Sequence, residues 1–430
     1  MKDPAGTLFV ILVIAFSAPL IVSLTPWLRL PALVLEILFG ILVGPDVLDL
    51  VAVTEPISLL SELGIATLIF LAGFEVDPAR LRGRPVRLAL GGWGLSIVIG
   101  LAAGAVLQAA GVISSELYVG LALTTTALGT LLPILRDAGI LPTPFGTHVL
   151  AVGSVGEFGP IIAVALVLSG TGAVRSVEAL VAFGIVAIVA VALAARPTPP
   201  RVQVALATTL RSSGQLYIRL AMVLIGALAL AAAELGLDML LGAFTAGIVF
   251  RLVTVSAATE AEVEQIEVKL EALALGFVIP VFFVVTGIQY DLDALIGSPT
   301  ALLKLPLFVA LLLVARGLPT LLYRRDLPER RDRLALAFFS ATGLPLIVVI
   351  ATLGLEAGQI RSTTAAALVG AGMVSVVLYP LLGSAALGRD RLPAPAVAVD
   401  EDFPGSTAAV EPPSVPDRDP GAAAETDPTP

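Results

Sequence analysis

An all-α integral membrane fold with about thirteen transmembrane helices is what this sequence predicts, on three observations. Hydrophobic residues make up 57% of the 430 positions and charged ones 14%, with a mean hydropathy of +0.99. Soluble globular domains sit near ~45–50% and ~25%. Apolar runs of about twenty residues recur along almost the whole chain, each able to cross ~30 Å of hydrocarbon as a helix. Lys and Arg gather on alternate loops. Backbone polar groups in lipid must be satisfied within their own segment, so the runs are helices and not strands.

In order, the runs lie at about 6–24, 30–49, 57–76, 85–110, 115–136, 146–169, 176–195, 215–235, 238–255, 270–290, 300–323, 332–352 and 362–388. Glu234 and Asp238 punctuate one long run, which is read as two crossings. Of the 25 Lys and Arg, twenty fall on one face of this arrangement and four on the other, with Arg316 inside a span. That asymmetry places the basic face in the cytoplasm, the N-terminus outside and the C-terminus inside, in the cell inner (plasma) membrane. The first run lacks a basic leader and a small-residue cleavage site and reads as a retained helix. Residues 1–388 form the expected transmembrane domain. Residues 389–430, rich in Pro, Ala and acids, read as a disordered cytoplasmic tail. No Gly-rich strand–turn–helix pattern occurs there, so no nucleotide-binding regulatory domain is expected in this chain.

Composition excludes several functions. With no cysteine, disulfide frameworks, Cys-ligated zinc and iron–sulfur clusters are out, and His148 is the only histidine. A net charge of −9 argues against nucleic-acid binding. The spans hold no catalytic Ser/His set, paired aspartates or HExxH pattern, so no enzyme and no cofactor are expected.

Three ionisable residues lie deep in apolar runs: Glu36, Glu157 and Arg316. A charge at the bilayer centre costs roughly 2.5–3.5 kcal/mol even on the lenient insertion scale. Glu157 and Arg316 have opposite signs and similar depth, so a mutual pair is expected. It is either an ion-binding carboxylate poised by a guanidinium or a structural pair locking two helices. Glu36 has no evident partner and reads as structural or cavity-facing. Helix breakers and hydroxyls interrupt two other spans, TTTALGTLLP (Thr124 to Pro133) and ATGLPLIVV (Ala341 to Val349). They lie in the fifth and twelfth segments. That odd offset brings the second copy in from the opposite side, as inverted-topology repeats require. His148 reads as an interfacial anchor or pH sensor. The acidic stretch from Thr259 to Glu271 reads as a solvated loop helix or a cation-concentrating mouth.

LVLEILFGILVGPDVLDLV followed by SELGIATLIFLAGFEVDPARLRG closely resembles the opening of Kef-type members of the monovalent cation:proton antiporter-2 family. The likeness continues in LALTTTALGTLLPILRDAG, ELGLDMLLGAFTAGIVFRL and IPVFFVVTGIQYDLDAL, and covers the chain to about Leu387. The resemblance implies an inverted-repeat fold with a dimerisation domain and a core domain. In that core two unwound helices cross near the ion site, and transport resembles an elevator movement. By position, Glu157 stands where the family has its ion-binding aspartate, and Gly156 where it usually has Asn, Gln or Asp. Arg316 matches the basic residue of the eleventh helix. Thr124, Thr125 and Thr126 match the first unwound crossing, Thr342 and Gly343 the second. Glu replaces Asp, Gly replaces an amide or acid, and TGLP stands where many relatives carry Gly-Glu-Phe.

The expectation is therefore a Na⁺ or K⁺/proton antiporter, a homodimer in the lipid bilayer. Glu157 exchanges H⁺ for a cation completed by Thr125 and Thr126, and Arg316 compensates the empty carboxylate. With one acid and no second carboxylate beside it, exchange is expected to be electroneutral. A sodium-coupled solute symporter on the same scaffold and a non-transporting membrane sensor are the alternatives.

Overall fold

The computed structural model describes residues 3–25, 31–75 and 83–387, apart from 138, 142, 169–172, 195, 197–198 and 211. The predicted tail, 389–430, lies outside the described residues. Every regular element among them is helical. α1 (Pro4–Leu24) and α2 (Ala32–Val43) lead into α3 (Glu55–Glu75) and α4 (Arg84–Ala109). A broken pair follows, α5 (Glu116–Ala122) and α6 (Leu128–Asp137), and then α7 (Pro144–Leu168), α8 (Ala173–Ala194) and the short α9 (Pro200–Leu210). Next come α10 (Leu216–Glu234) and α11 (Met239–Ala257). After them α12 (Glu260–Leu273) runs through a π turn at Ala274–Val278 into α13 (Ile279–Ile288). α14 (Leu292–Ile296) is a single turn, and α15 (Pro299–Gly317) tightens into a 3₁₀ stretch, Leu318–Arg325. A second broken pair, α16 (Arg330–Ala341) and α17 (Pro345–Glu356), precedes α18 (Ser362–Leu387).

Among the described residues eight helical spans are long and apolar enough to cross a membrane, or nine if the bent α16–α17 pair is one span. The second, fifth, sixth and seventh predicted crossings fall on α2, α5–α6, α7 and α8, outside that count. Local chemistry sets several helix starts. Asp3 caps α1 by accepting from the Gly6 amide, and Asp238 caps α11 by accepting from Leu240. Thr259 and Glu262 close a reciprocal capping box on α12. The predicted acidic loop helix is therefore a helix.

In lipid, helices associate through close packing and not through water exclusion, which rewards glycine at the contacts. A Cβ on Gly73 of α3 would stand 2.1 Å from the Phe244 carbonyl, and one on Gly247 of α11 would stand 2.1 Å from the Phe70 carbonyl. Phe70, Phe74 and Phe250 then fill the same seam with rings 5.6–6.5 Å apart. α2 and α13 approach in the same way, and with α1, α3, α10 and α11 they form one packing group. The other group is α4, α5, α7, α15, α16, α17 and α18, and it contains both breaks.

Candidate functional site: a crossing of two broken helices

Both predicted interruptions are real breaks, and they touch. The first leaves the helix over 123–127 and the second over 342–344. Side chains cause the first break. The Thr124 hydroxyl donates to the Leu121 carbonyl at 2.8 Å and that of Thr125 to Ala122 at 2.9 Å, competing with the helical ladder. Pro345, without an amide proton, opens α17 after the second break. Freed backbone groups then find each other. The Ala127 amide donates to the Thr342 carbonyl at 2.8 Å and the Thr126 amide to the Gly156 carbonyl at 2.9 Å. Ser375 of α18 accepts from the Gly343 amide at 3.1 Å, and its hydroxyl lies 2.8 Å from the Gly343 carbonyl. A side chain at Gly343 would run into Thr125, whose Oγ1 lies 2.9 Å from the Cβ position.

Arg316 is 3% exposed and sits beside this crossing. Its Nε and Nη2 donate to Thr126 Oγ1 at 3.0 and 2.8 Å. It also reaches the Ser340 carbonyl at 3.2 Å, Ser96 Oγ at 3.3 Å and the Val152 carbonyl at 3.2 Å. Every acceptor is neutral. The expected ion pair with Glu157 is not formed, and helix geometry gives the reason. Residues 156 and 157 point about 100° apart on an α-helix. The guanidinium occupies the face of α7 that carries Val152 and Gly156, and Glu157 faces away from it. Thr126, expected as a cation ligand, has its hydroxyl fully engaged: it donates to Ser340 O and accepts twice from Arg316.

Glu157 has the opposite environment. Its Oε2 is buried with no hydrogen-bond partner, and the Leu128 amide at the start of α6 faces its carboxyl group. It borders a cavity of about 210 Å³ shared with Ala127, Gly129, Thr130 and Pro345 at the breaks. Glu75 at the end of α3 and Glu271 of α12, both exposed, line the same cavity. This corrects the expectation that no second carboxylate stands beside Glu157. One turn further along α7, Ile161 lines a mostly apolar constriction with Ile69, Leu241, Leu346, Val349 and Ile350, and with Asp238, around a space of only about 10 Å³. Past that constriction lies a vestibule of about 390 Å³ with Glu62, Asp238 and Glu356 in its wall. The carboxylate thus borders a wide cavity on one side and narrow, mostly apolar packing on the other.

Other expectations are placed as follows. His148 is buried at the other end of α7, its Nδ1 2.9 Å from the Pro144 carbonyl and its Nε2 3.8 Å from Asp326 Oδ2. Glu36 is buried on α2 and does not line the cavity at Glu157. No group of three or more His, Asp or Glu side chains among the described residues could hold a metal. Sequence reasoning missed Glu75, which sits at a span end where an acid reads as a loop residue. It also missed Ser96, Ser340 and Ser375, because single serines in apolar spans give no distinguishing signal.

Comparison with known proteins gives a consistent result. The profile described as sodium/hydrogen exchanger, transmembrane, matches residues 12–387. YjbQ of Bacillus subtilis (strain 168), provisionally named an Na(+)/H(+) antiporter, is 26% identical over 407 residues, 90% of this chain and 64% of that protein. The glutathione-regulated potassium-efflux system protein KefC of Escherichia coli (strain UTI89 / UPEC) is 27% identical over 321 residues, 72% of this chain and 49% of that protein. The chain therefore spans 64% and 49% of the lengths of these two relatives. The solved structure of the sodium proton antiporter MjNhaP1 from Methanocaldococcus jannaschii superposes with a TM-score of 0.63 at 16% identity. That likeness covers 87% of this chain and 96% of the other, and shows the same fold. With the profile matched over nearly all of its described length, this multi-pass chain belongs to the transmembrane sodium/hydrogen exchanger family.

Proposed function

We propose that the chain exchanges a monovalent cation, Na⁺ or K⁺, for protons at Glu157. One observation carries this reading: a buried carboxylate oxygen without a partner borders a cavity of about 210 Å³ beside two interrupted helices. An acid at that depth is retained where a proton or ion takes the place of the missing partner. The broken helices supply what a dehydrated cation needs, namely backbone oxygens and half-helix ends near the midplane. Thr125 Oγ1 donates to Ala122 and keeps lone pairs for a cation, although it is fully buried and lies behind the cavity lining, whereas Thr126 serves as scaffold. Thr124, Thr342 and Gly343 keep the breaks open. The names of YjbQ and KefC point to sodium and potassium respectively, so both cations belong in the test.

The rim at Glu75 and Glu271 lies at the end the basic loops assign to the cytoplasm, so the arrangement corresponds to an inward-facing state. The group containing both breaks would then slide as an elevator against the other, carrying Glu157 past the apolar constriction. Glu75 and Glu271 share the cavity but are exposed, whereas Glu157 holds a buried carboxylate oxygen, so we take the exchange as one proton per cation and electroneutral, in a plasma-membrane homodimer with its N-terminus outside and its C-terminus in the cytoplasm.

Purified protein in proteoliposomes tests this. An imposed pH gradient should collapse on addition of Na⁺, K⁺ or Li⁺ and not of choline. Full activity in Glu157→Ala rejects the assignment. Current under a clamped potential rejects electroneutrality and brings Glu75 in as a second proton carrier.

A further inference from the structure

Arg316 is a buried cation beside the crossing, and its place is set by a residue with no side chain. A Cβ built on Gly156 would lie 2.3 Å from Arg316 Nη2, 2.5 Å from Thr126 Oγ1 and 2.9 Å from Thr126 Cβ. No real Cβ tolerates such distances, so the guanidinium fills the volume that any other residue at 156 would claim. It uses that volume to hold Thr126 with two hydrogen bonds and the Ser340 carbonyl with a third. Thr126 belongs to the first break, and Ser340 lies two residues before the second. Ser96 on α4 and the Val152 carbonyl on α7 complete the seat.

We propose that Gly156 is a positioning residue: by yielding its side-chain volume it seats Arg316 on Thr126, ties the two breaks together, and keeps the guanidinium off Glu157. Thr126 is then a hydrogen-bonding post, and Glu157 has no fixed counter-charge. In transport this means its charge is neutralised by cargo alone, a consequence that rests on the reading proposed above. The seat itself does not depend on that reading.

A substitution cycle tests the proposal, read by thermal melting of the solubilised protein and by pH-gradient collapse. Gly156→Ala alone should lower the melting temperature by about 5 °C or more and slow flux at least about tenfold. Arg316→Lys ends one atom short of Nη2 and loosens the grip on Thr126, whose hydroxyl can then rotate away. In that background the same Gly156→Ala change should cost under about 2 °C and under about threefold in flux. Equal losses in both backgrounds overturn the proposal. Thr126→Ala removes the second close atom and serves as the background if Arg316→Lys does not fold. Gly94→Ala on α4, a position with open space around its Cβ, controls for replacing a helical glycine. If the unaltered protein moves no cation, the transport reading fails while the melting cycle still decides this one.

Discussion

Two charged side chains lie within the same crossing, and their surroundings are opposite. Around Arg316, two hydroxyls and two backbone carbonyls are arranged so that the guanidinium makes five hydrogen bonds to neutral oxygens. Around Glu157, a carboxylate oxygen is left without a partner and the side chain borders a cavity of about 210 Å³. A buried ion costs several kcal/mol after relaxation unless its hydrogen bonds are complete. The cage meets that condition with fixed groups, so it can only hold a structure together. The carboxylate site leaves it unmet, and on the function proposed above the transported ion or proton completes it. On the function proposed above, the contrast separates a structural charge from an exchanging one.

Breaking the carboxylate side should have the largest effect on flux. Glu157→Gln keeps the shape and removes the charge, so exchange should fall by at least about a hundredfold. The melting temperature should hold or rise, because an unpartnered buried charge has been removed. A fall in stability matching the loss of flux would place Glu157 among the structural charges. Breaking the cage reverses the pattern. Arg316→Ala strands buried acceptors and opens a void, costing about 3 kcal/mol or more, with melting as the primary readout. An unchanged melting temperature would remove the cage from the account.

Access gives an intermediate test, and the absence of cysteine makes it clean. Thr130→Cys, in the cavity wall, should react with a water-borne thiol reagent at least about tenfold faster than Ser340→Cys, inside the cage. Similar rates would mean that water reaches both charges alike.

The smallest expected effect lies at the membrane surface, where Arg84 Nε meets the Asp326 carboxylate at 2.9 Å. That hydrogen bond holds the Asp326 carboxyl below its ordinary value of 3.8, assisted by the charges of Arg84 and His148. A carboxyl group depressed in the folded state contributes stability above its unfolded value, and that stability is lost as the pH falls through the folded value. Asp326→Asn should therefore lower the melting temperature slightly near neutrality and flatten the acid limb, so that the two proteins converge as the pH falls below the ordinary carboxylate range. An exposed pair of this kind is screened by salt, so the difference should shrink at high ionic strength.

Much of this was legible in the residues. Apolar length and the lack of internal charges fix helices, because lipid offers no other partner to the backbone. Thr124–Thr126, Thr342–Gly343 and Pro345 mark the breaks, because hydroxyls and a missing amide proton disturb the ladder wherever they occur. Glu157 and Arg316 announce themselves as charges among apolar neighbours. Those are one-dimensional properties, and they survive any arrangement of the helices.

Which charge faces which partner was decided elsewhere. Pairing depends on the rotation of α7 and on the approach of α4 and α15, and a single residue step along α7 separates the guanidinium's face from the carboxylate's. The same holds for Glu75 and Glu271, distant in the chain and joined only by a shared cavity, and for the apolar constriction on its far side. Sequence by itself determined a helical membrane protein with two interrupted spans and two deep charges. Only packing decided that one charge is saturated and the other waits, because hydrogen-bond geometry over 3 Å is set by helix rotation, which the order of residues does not contain.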